Sequence, residues 1–423
     1  MRALQCVVRL ALLAPLADAL LAPRRTNAAK NAARVARSRR GTPLAAAPAA
    51  GASSKVFAAA TGAVSRLVVT TALGAATVKA NIVTPDQING LAKVVYNFFL
   101  PCFLFTTLIR TVATYGLSPE LLLLMPFAAV AQIGIAFLVS RFLLVPLVGV
   151  KPRSAAAREL TLSGSFGNPG VLPLLFFDAL FAGARDASLL PRLVALTSFY
   201  LIGFTPAFWA LGNAILADDD PDAACLVVSP DDCEAPTRIA RAKAALAALL
   251  KPPPVRAALG GLAVAASPLR DALVGPNARL ANVFAALNRF AGAYLPSASL
   301  VLAGSLIAGG GGGDDDAPPG LRRIVALCLH RFCLLPALGA GALFGLARVG
   351  LFPAPRASPL VWFFLLTQFA MPPAQNTVVM FQLRDDPRAA KRQATTLLAV
   401  YAAAVVPLAF LFNAYLTACG LSV

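Results

Sequence analysis

Apolar residues in this chain come in long, nearly unbroken runs. They neither alternate as in a strand nor mark one stripe as in a soluble helix. Ten such runs follow residue 55, at approximately 56–78, 88–112, 119–149, 155–181 and 191–216, then 254–274, 279–308, 322–349, 357–382 and 394–418. Each is long enough to cross a hydrocarbon core about 30 Å thick. The pattern predicts an all-α polytopic membrane protein with ten transmembrane helices.

Polar positions divide these runs into two sets of five. The long polar insert between the fifth and sixth opens with Asp218-Asp219-Asp220-Pro221-Asp222 and includes Asp231-Asp232 and Glu234. A basic, Ala/Leu-rich stretch over 238–250 then leads to Pro252-Pro253-Pro254. The acidic part is too polar to pack and reads as a loop. The basic part suits a membrane surface. The expected organisation is a leader (1–55), a first five-helix repeat (56–216), a polar loop (217–253) and a second five-helix repeat (254–423). Five segments per half, an odd number, force the halves to be inverted relative to each other. Asn97-Phe98-Phe99-Leu100-Pro101 in the second run is echoed by Ala293-Tyr294-Leu295-Pro296 in the seventh. Arg141-Phe142-Leu143-Leu144-Val145-Pro146 also resembles Arg331-Phe332-Cys333-Leu334-Leu335-Pro336. That echo lies at different depths in its two runs, so it is set aside as a repeat signal.

Two runs are interrupted at corresponding places. The fourth contains Gly167-Asn168-Pro169-Gly170-Val171-Leu172-Pro173, and the ninth contains Phe369-Ala370-Met371-Pro372-Pro373-Ala374-Gln375-Asn376. A proline removes a backbone donor and its ring clashes with the preceding turn, so both helices break. Paired broken segments in two halves are the sequence pointer to a transporter's binding site. Each break exposes N–H groups at the start of the next half-helix, with about half a positive charge. That makes an anion site without a charged side chain. The expected substrate-binding residues are Asn168, Pro169, Gly170, Pro373, Gln375 and Asn376. A carboxylate suits them, with an aromatic body lying against Val171, Leu172 and Val378. The competing reading has the two asparagines only satisfying carbonyls freed by the prolines, and Gln375 only packing.

Other polar residues in the runs carry weaker signals. Asp178 is a candidate proton or cation carrier, or a cap at the interface. His330 is a candidate relay, with structural pairing the blander reading. Arg141 and Arg331 are expected to snorkel or to bond carbonyls. Gln132 and Gln368 are expected to form interhelical hydrogen bonds.

Composition narrows the function. The 423 residues are 58% hydrophobic and 13% charged, about half the charge of a soluble domain. The net charge is +18, but residues 1–55 alone hold ten Lys/Arg against one acid, Asp18. Half the excess therefore belongs to the leader, and nucleic acid is not an expected partner. Connections after the odd-numbered runs hold fifteen basic residues and the opposite ones seven. By loop charge the acidic insert faces the cytosol or stroma. The 309–313 glycine run and Asp314-Asp315-Asp316 form a flexible connector on that same face. The seven cysteines show no close metal spacing. Cys102, Cys328, Cys333 and Cys419 read as small core residues, while Cys225 and Cys233 flank a loop. There is no HExxH, no paired membrane carboxylate and no nucleophile–base spacing. No catalytic residue, metal or cofactor is expected.

The leader has two parts. A basic start (Arg2, Arg9), an apolar centre over 10–16 and Ala17-Asp18-Ala19 resemble a signal peptide with its cleavage site. Residues 24–55 are rich in Arg and Ala without acids, as in an organelle transit peptide. Together they resemble the bipartite plastid leaders of algae, with Leu20 where Phe is usual. A plastid membrane is the expected location, with the endoplasmic reticulum as runner-up. A mitochondrial presequence or a disordered basic arm are the alternatives.

With these motifs placed, the chain resembles the membrane transport family of PIN-FORMED auxin efflux carriers, and more closely its PIN-LIKES branch. Thr84-Pro85-Asp86-Gln87, Phe98-Phe99-Leu100-Pro101, Gly167 to Leu174 and Pro372-Pro373-Ala374-Gln375-Asn376 with Phe381-Gln382-Leu383 carry the likeness. It covers about 56–420. Pro169, Gln375 (where Met is commoner) and a short central loop depart from it. The resemblance implies ten helices in two inverted repeats, with helices four and nine broken and crossing near the membrane centre. It implies a scaffold of segments one, two, six and seven, a moving domain of the other six, and a homodimer through a scaffold helix. The function it implies is transport of an auxin-like organic anion by alternating access. Carboxylate or sodium-coupled anion transport, and a non-transporting membrane sensor, are the alternatives.

Overall fold

The computed structural model describes residues 50–116, 119–181, 186–217, 250–275, 278–308 and 320–422. Most of the leader, the acidic insert with Cys225 and Cys233, and the 309–316 connector lie outside the described residues.

Thirteen helices follow one another among the described residues. They are α1 (Ala50–Lys79), α2 (85–115), α3 (119–148), α4 (Ala155–Ser165), α5 (Val171–Phe181), α6 (Leu189–Ala217), α7 (Pro253–Ala265), α8 (Leu269–Leu273), α9 (Ala281–Ala308), α10 (Leu321–Arg348), α11 (Pro359–Ala370), α12 (Asn376–Gln382) and α13 (Pro387–Cys419). Six of them, α2, α3, α6, α9, α10 and α13, are long and apolar enough to cross a membrane. The apolar helices α5 and α11 are shorter. Phe127, Phe142 and Phe410 turn 65%, 72% and 74% of their surface outward. Such a surface would drive association in water and suits hydrocarbon. α1 starts at Ala50, inside the stretch assigned to the leader. The 254–274 run is two helices, because Ser267-Pro268 ends α7 and opens α8.

Local chemistry fixes several starts. Thr84 accepts the Gln87 N–H at 3.4 Å, and the Gln87 side chain accepts the Thr84 N–H at 2.8 Å, a reciprocal cap that opens α2. Ser154 and Asp386 cap α4 and α13 through the N–H groups of Ala157 and Ala389. Inside helices, the prolines sort into two kinds. Pro101, Pro146 and Pro336 each follow a five-residue π turn, at Val95–Phe99, Ser140–Leu144 and His330–Leu334. A widened turn moves the carbonyl that the proline ring would strike. Pro126, Pro206, Pro296 and Pro407 sit in their helices without such a turn.

The two RF-containing stretches that the sequence places at different depths meet in space. Ser140 Oγ lies 3.1 Å from His330 Nε2, which lies 3.1 Å from the Gly164 carbonyl. The π turns of α3 and α10 thus stand side by side, against the end of α4.

α7 packs on α2, α6 on α3, and α9 and α13 on α1. The α3–α6 contact is made at backbone distance: a Cβ on Gly203 would press into the Pro126 carbonyl and Cα. Gly203→Val is expected to lower the unfolding midpoint in detergent, at a cost of about 1–3 kcal/mol for an overpacked contact. Gly134→Ala on α3, where a Cβ meets nothing within 4 Å, should leave it unchanged. Equal midpoints for the two variants would mean that these helices do not meet this closely.

Candidate functional site

α4 ends at Ser165 and α5 starts at Val171; α11 ends at Ala370 and α12 starts at Asn376. The two linkers lie against each other as one antiparallel bridge between Gly167 and Pro373. The Asn168 N–H donates to the Pro372 carbonyl at 2.8 Å, and the Ala374 N–H donates to the Phe166 carbonyl at 2.9 Å. Pro372 and Pro373 have no N–H to give, so these two donors hold the crossing. Around it, freed carbonyls find side chains. Tyr401 donates its hydroxyl to the Pro373 carbonyl at 2.6 Å, and Gln368 donates its amide to the Pro169 carbonyl at 3.2 Å. Gln132 in turn donates to the Gln368 carbonyl at 2.7 Å and accepts from the Tyr200 hydroxyl. Both glutamines therefore make the interhelical bonds expected of them.

A cavity of about 40 Å³ sits beside the crossing. Asn168, Pro169, Gly170, Val171, Ala374, Gln375 and Asn376 form its linker side, with the three amides as its polar groups, and Phe103, Phe204, Phe208, Trp209 and Tyr294 form its aromatic walls. Five of the six expected substrate residues are brought together here. Pro373 does not line the cavity; it lies behind, in the bridge. Of the apolar neighbours expected for an aromatic body, Val171 lines the cavity, while Leu172 and Val378 are buried away from it. The aromatic surface comes from α2, α6 and α9 instead. Phe204 and Phe208, one turn apart on one face of α6, were the available signal.

The buried amides are unequally satisfied. Asn168 accepts the Leu172 N–H at 3.4 Å, which fixes its carbonyl oxygen; Nδ2 makes no hydrogen bond of normal geometry and has the Tyr401 hydroxyl beside it. Gln375 is buried, and neither amide atom has a partner. Asn376 accepts from the Tyr294 hydroxyl at 3.0 Å, and Tyr294 stacks on Phe103. A buried amide left unpaired costs about 1–3 kcal/mol. Gln375, which only packs on the competing reading, carries the larger unmet capacity, and Asn376 is already engaged. Among the described residues, no backbone acceptor takes the N–H of Gly170 or Val171 at the start of α5.

Behind the bridge lies Arg331 of α10, fully buried. Its Nε and Nη2 donate to the Ser163 carbonyl at 3.2 and 2.8 Å, as the carbonyl-bonding reading expects. Its Nη1 has no acceptor and packs against Gly167. Gln393 of α13 donates to Ser163 Oγ at 3.0 Å and to Thr377 Oγ1 at 2.8 Å, tying α4 to α12. Asp178 is exposed near the end of α5 and does not line the cavity.

A family model described as a membrane transport protein matches residues 59–412 of this chain. PIN-LIKES 7 of Arabidopsis thaliana is 27% identical over 345 residues, covering 72% of this chain and 84% of that protein. PIN-LIKES 5 of Arabidopsis thaliana is 25% identical over 335 residues, covering 70% and 81%. Both linkers and the aromatic walls lie inside the matched span.

Proposed function

The chain belongs to the membrane transport protein family, and we propose that it carries a small organic anion, of the auxin or indole-3-acetate kind, through the site at the crossing. The observation that carries this reading is the pairing of unmet buried donors with aromatic walls. Asn168 Nδ2, Gln375 Nε2 and the start of α5 offer N–H groups to a carboxylate. Phe103, Phe204, Phe208 and Trp209 offer rings to an aromatic body. Aromatic pairs are worth about 0.5–1.5 kcal/mol beyond burial, so the walls favour an aromatic monoanion over malate. Arg331 weighs against sodium at the carbonyl end of α4. In transporters with broken helices, such carbonyls take the coupling cation; here Ser163 already takes a guanidinium.

A cavity of about 40 Å³ holds a few waters; a ligand site needs about 300–1,000 Å³. The proposal therefore includes a conformational change that parts the α4–α5 and α11–α12 linkers from α2, α6 and α9, as alternating access requires. It takes the chain as ten crossing segments in two inverted halves: α1, α2, α3, α4–α5 and α6, then α7–α8, α9, α10, α11–α12 and α13. Two packing pairs support the correspondence of the halves; the odd number of segments per half is what makes them inverted. Segment two on segment six (α2 on α7) corresponds to segment seven on segment one (α9 on α1). The proposal extends to pairing of two copies through the scaffold segments α1, α2, α7–α8 and α9.

Counterflow of labelled indole-3-acetate into proteoliposomes, with malate in parallel, tests the reading. Wild type is expected to accumulate the indole acid and not malate. Asn168→Ala should reduce that accumulation by about tenfold to a hundredfold, the worth of a hydrogen bond to a charged group, with its unfolding midpoint close to wild type. Counterflow unaffected by Asn168→Ala would remove the crossing as the site, and counterflow of neither acid would remove the substrate class.

A further inference from the structure

The three amide side chains that line the crossing cavity differ in what they still have to receive. Asn168 Oδ1 accepts the Leu172 N–H, and Asn376 Oδ1 accepts the Tyr294 hydroxyl. Carbonyls of the two linkers are engaged as well. Pro169 takes the Gln368 amide, Gly170 the Leu174 N–H, Ala374 the Thr377 N–H and hydroxyl, and Gln375 the Val378 N–H. The side-chain oxygen of Gln375 is the exception. The residue is 3% exposed and lines the cavity, yet its Oε1 receives no donor from the protein.

Gln375 Nε2 is unpaired too. Two unmet atoms on one buried side chain cost the folded protein stability, so packing gives no reason for a glutamine at this place. A carboxylate would take Nε2, but an ionised carboxylate has only acceptors. It leaves Oε1 as it was. Turning the amide over exchanges the two atoms and changes nothing, because one end still gives and the other must still receive. Thr205 adds a hydroxyl to the same cavity; a hydroxyl both gives and accepts, so it places no such demand on a ligand. What Oε1 requires is an N–H or O–H on the ligand itself. The rest of the lining is aromatic, from Phe103, Phe204, Phe208 and Trp209, so the part of the ligand that carries this donor is its ring.

We propose that Gln375 sets the specificity of the crossing for aromatic acids whose ring bears its own hydrogen-bond donor, an indole N–H or a phenol O–H, received by Oε1 while Nε2 serves the carboxylate. This rests on the reading of the crossing as an organic-anion site. Its consequence is a choice among aromatic monoanions that shape and charge do not make. An acid of the same outline without the donor closes the site over an unmet Oε1. Sites built to bond a ligand N–H or O–H reject the analogue lacking it far more strongly than an apolar pocket rejects a missing methylene.

Counterflow of labelled indole-3-acetate into proteoliposomes of the full-length chain tests this, with unlabelled indole-3-acetate and indene-3-acetate as competitors. The second acid keeps the fused rings and the carboxylate and has a CH2 where the first has its N–H. Wild type is expected to need about tenfold more indene acid than indole acid for half-inhibition, the worth of one buried acceptor left unmet. Gln375→Met keeps the length of the side chain and replaces the amide by a weak acceptor. There the ratio should fall to about one, through loss of indole acid binding. The unfolding midpoint of this variant without ligand should equal or exceed that of wild type, since two buried unmet atoms are gone. Gln375→Leu is a second variant with the same expected ratio, and where neither folds the wild-type ratio decides. Equal half-inhibition by the two acids in wild type would overturn the proposal and leave the anion site standing. A ratio that survives in Gln375→Met would also overturn it, by placing the ring donor against another group. No uptake of labelled indole-3-acetate would remove the anion site and this specificity together.

Discussion

Glu159→Ala is expected to be among the most destabilising single substitutions in this chain. The carboxylate is 2% exposed on the second turn of α4. Arg323 of α10 donates both terminal nitrogens to Oε2 at 3.1 Å. Arg392 of α13 donates Nε and Nη2 to Oε1 at 3.0 and 2.7 Å. One carboxylate thus joins three helices, and four charge-assisted bonds saturate its two oxygens. A buried pair need not stabilise relative to an apolar replacement, but removing the carboxylate takes the paired charge from Arg323, whose side chain is 12% exposed, at a cost of up to about 3–5 kcal/mol. The midpoint of thermal unfolding should fall by several degrees. Glu159→Gln should recover little of the loss, because it restores an acceptor and not the charge. In a double-mutant cycle, Glu159→Gln with Arg392→Gln should be less destabilised than the sum of the two single variants. A Glu159→Ala protein that melts with wild type would show that water reaches and screens these arginines.

The parts of the site that the sequence announces are those set by local backbone chemistry. Pro169 and Pro372-Pro373 forbid continuous helix wherever the rest of the chain lies, so both breaks are visible in the residues alone. Their antiparallel register is not visible. The i, i+4 spacing of Phe204 and Phe208 is visible, but not that their face turns inward, since in a membrane protein hydrophobicity no longer separates inside from outside. Phe127 and Phe142 have the same chemistry and face outward. The two RF stretches make the point most clearly. Arg141 and Arg331 have nearly the same neighbours and the same π turn, yet Arg331 is fully buried behind the crossing while Arg141 sits half-buried at a cavity. Only which helix lies alongside tells them apart, and α4 presents its last carbonyls to one and its charged second turn to the other. The Glu159 cluster is hidden for a related reason: its partners lie 164 and 233 residues away, and no local pattern marks them.

Arg331→Gln is expected to separate transport from stability. The guanidinium is 0% exposed and bonds one carbonyl through two of its nitrogens. No carboxylate pairs with it among the described residues. The last carbonyls of α4 supply only the partial negative charge of a helix end. Burying a charge on those terms costs several kcal/mol, so fold stability is a poor reason for an arginine here. Its place behind Gly167, next to Asn168, gives it another role. It projects positive potential into a site whose own donors are neutral amides. A unit charge about 8 Å from a carboxylate is worth about 2 kcal/mol at an effective dielectric of about 20, or about thirtyfold in affinity. Arg331→Gln keeps a donor for the Ser163 carbonyl and removes the charge. The expected result is counterflow of the organic anion reduced by about that factor, with an unfolding midpoint equal to or above wild type. Counterflow that survives the substitution would mean the anion does not sense this charge. A midpoint that falls as far as that of Glu159→Ala would assign Arg331 to the framework and leave the amides as the whole of the site.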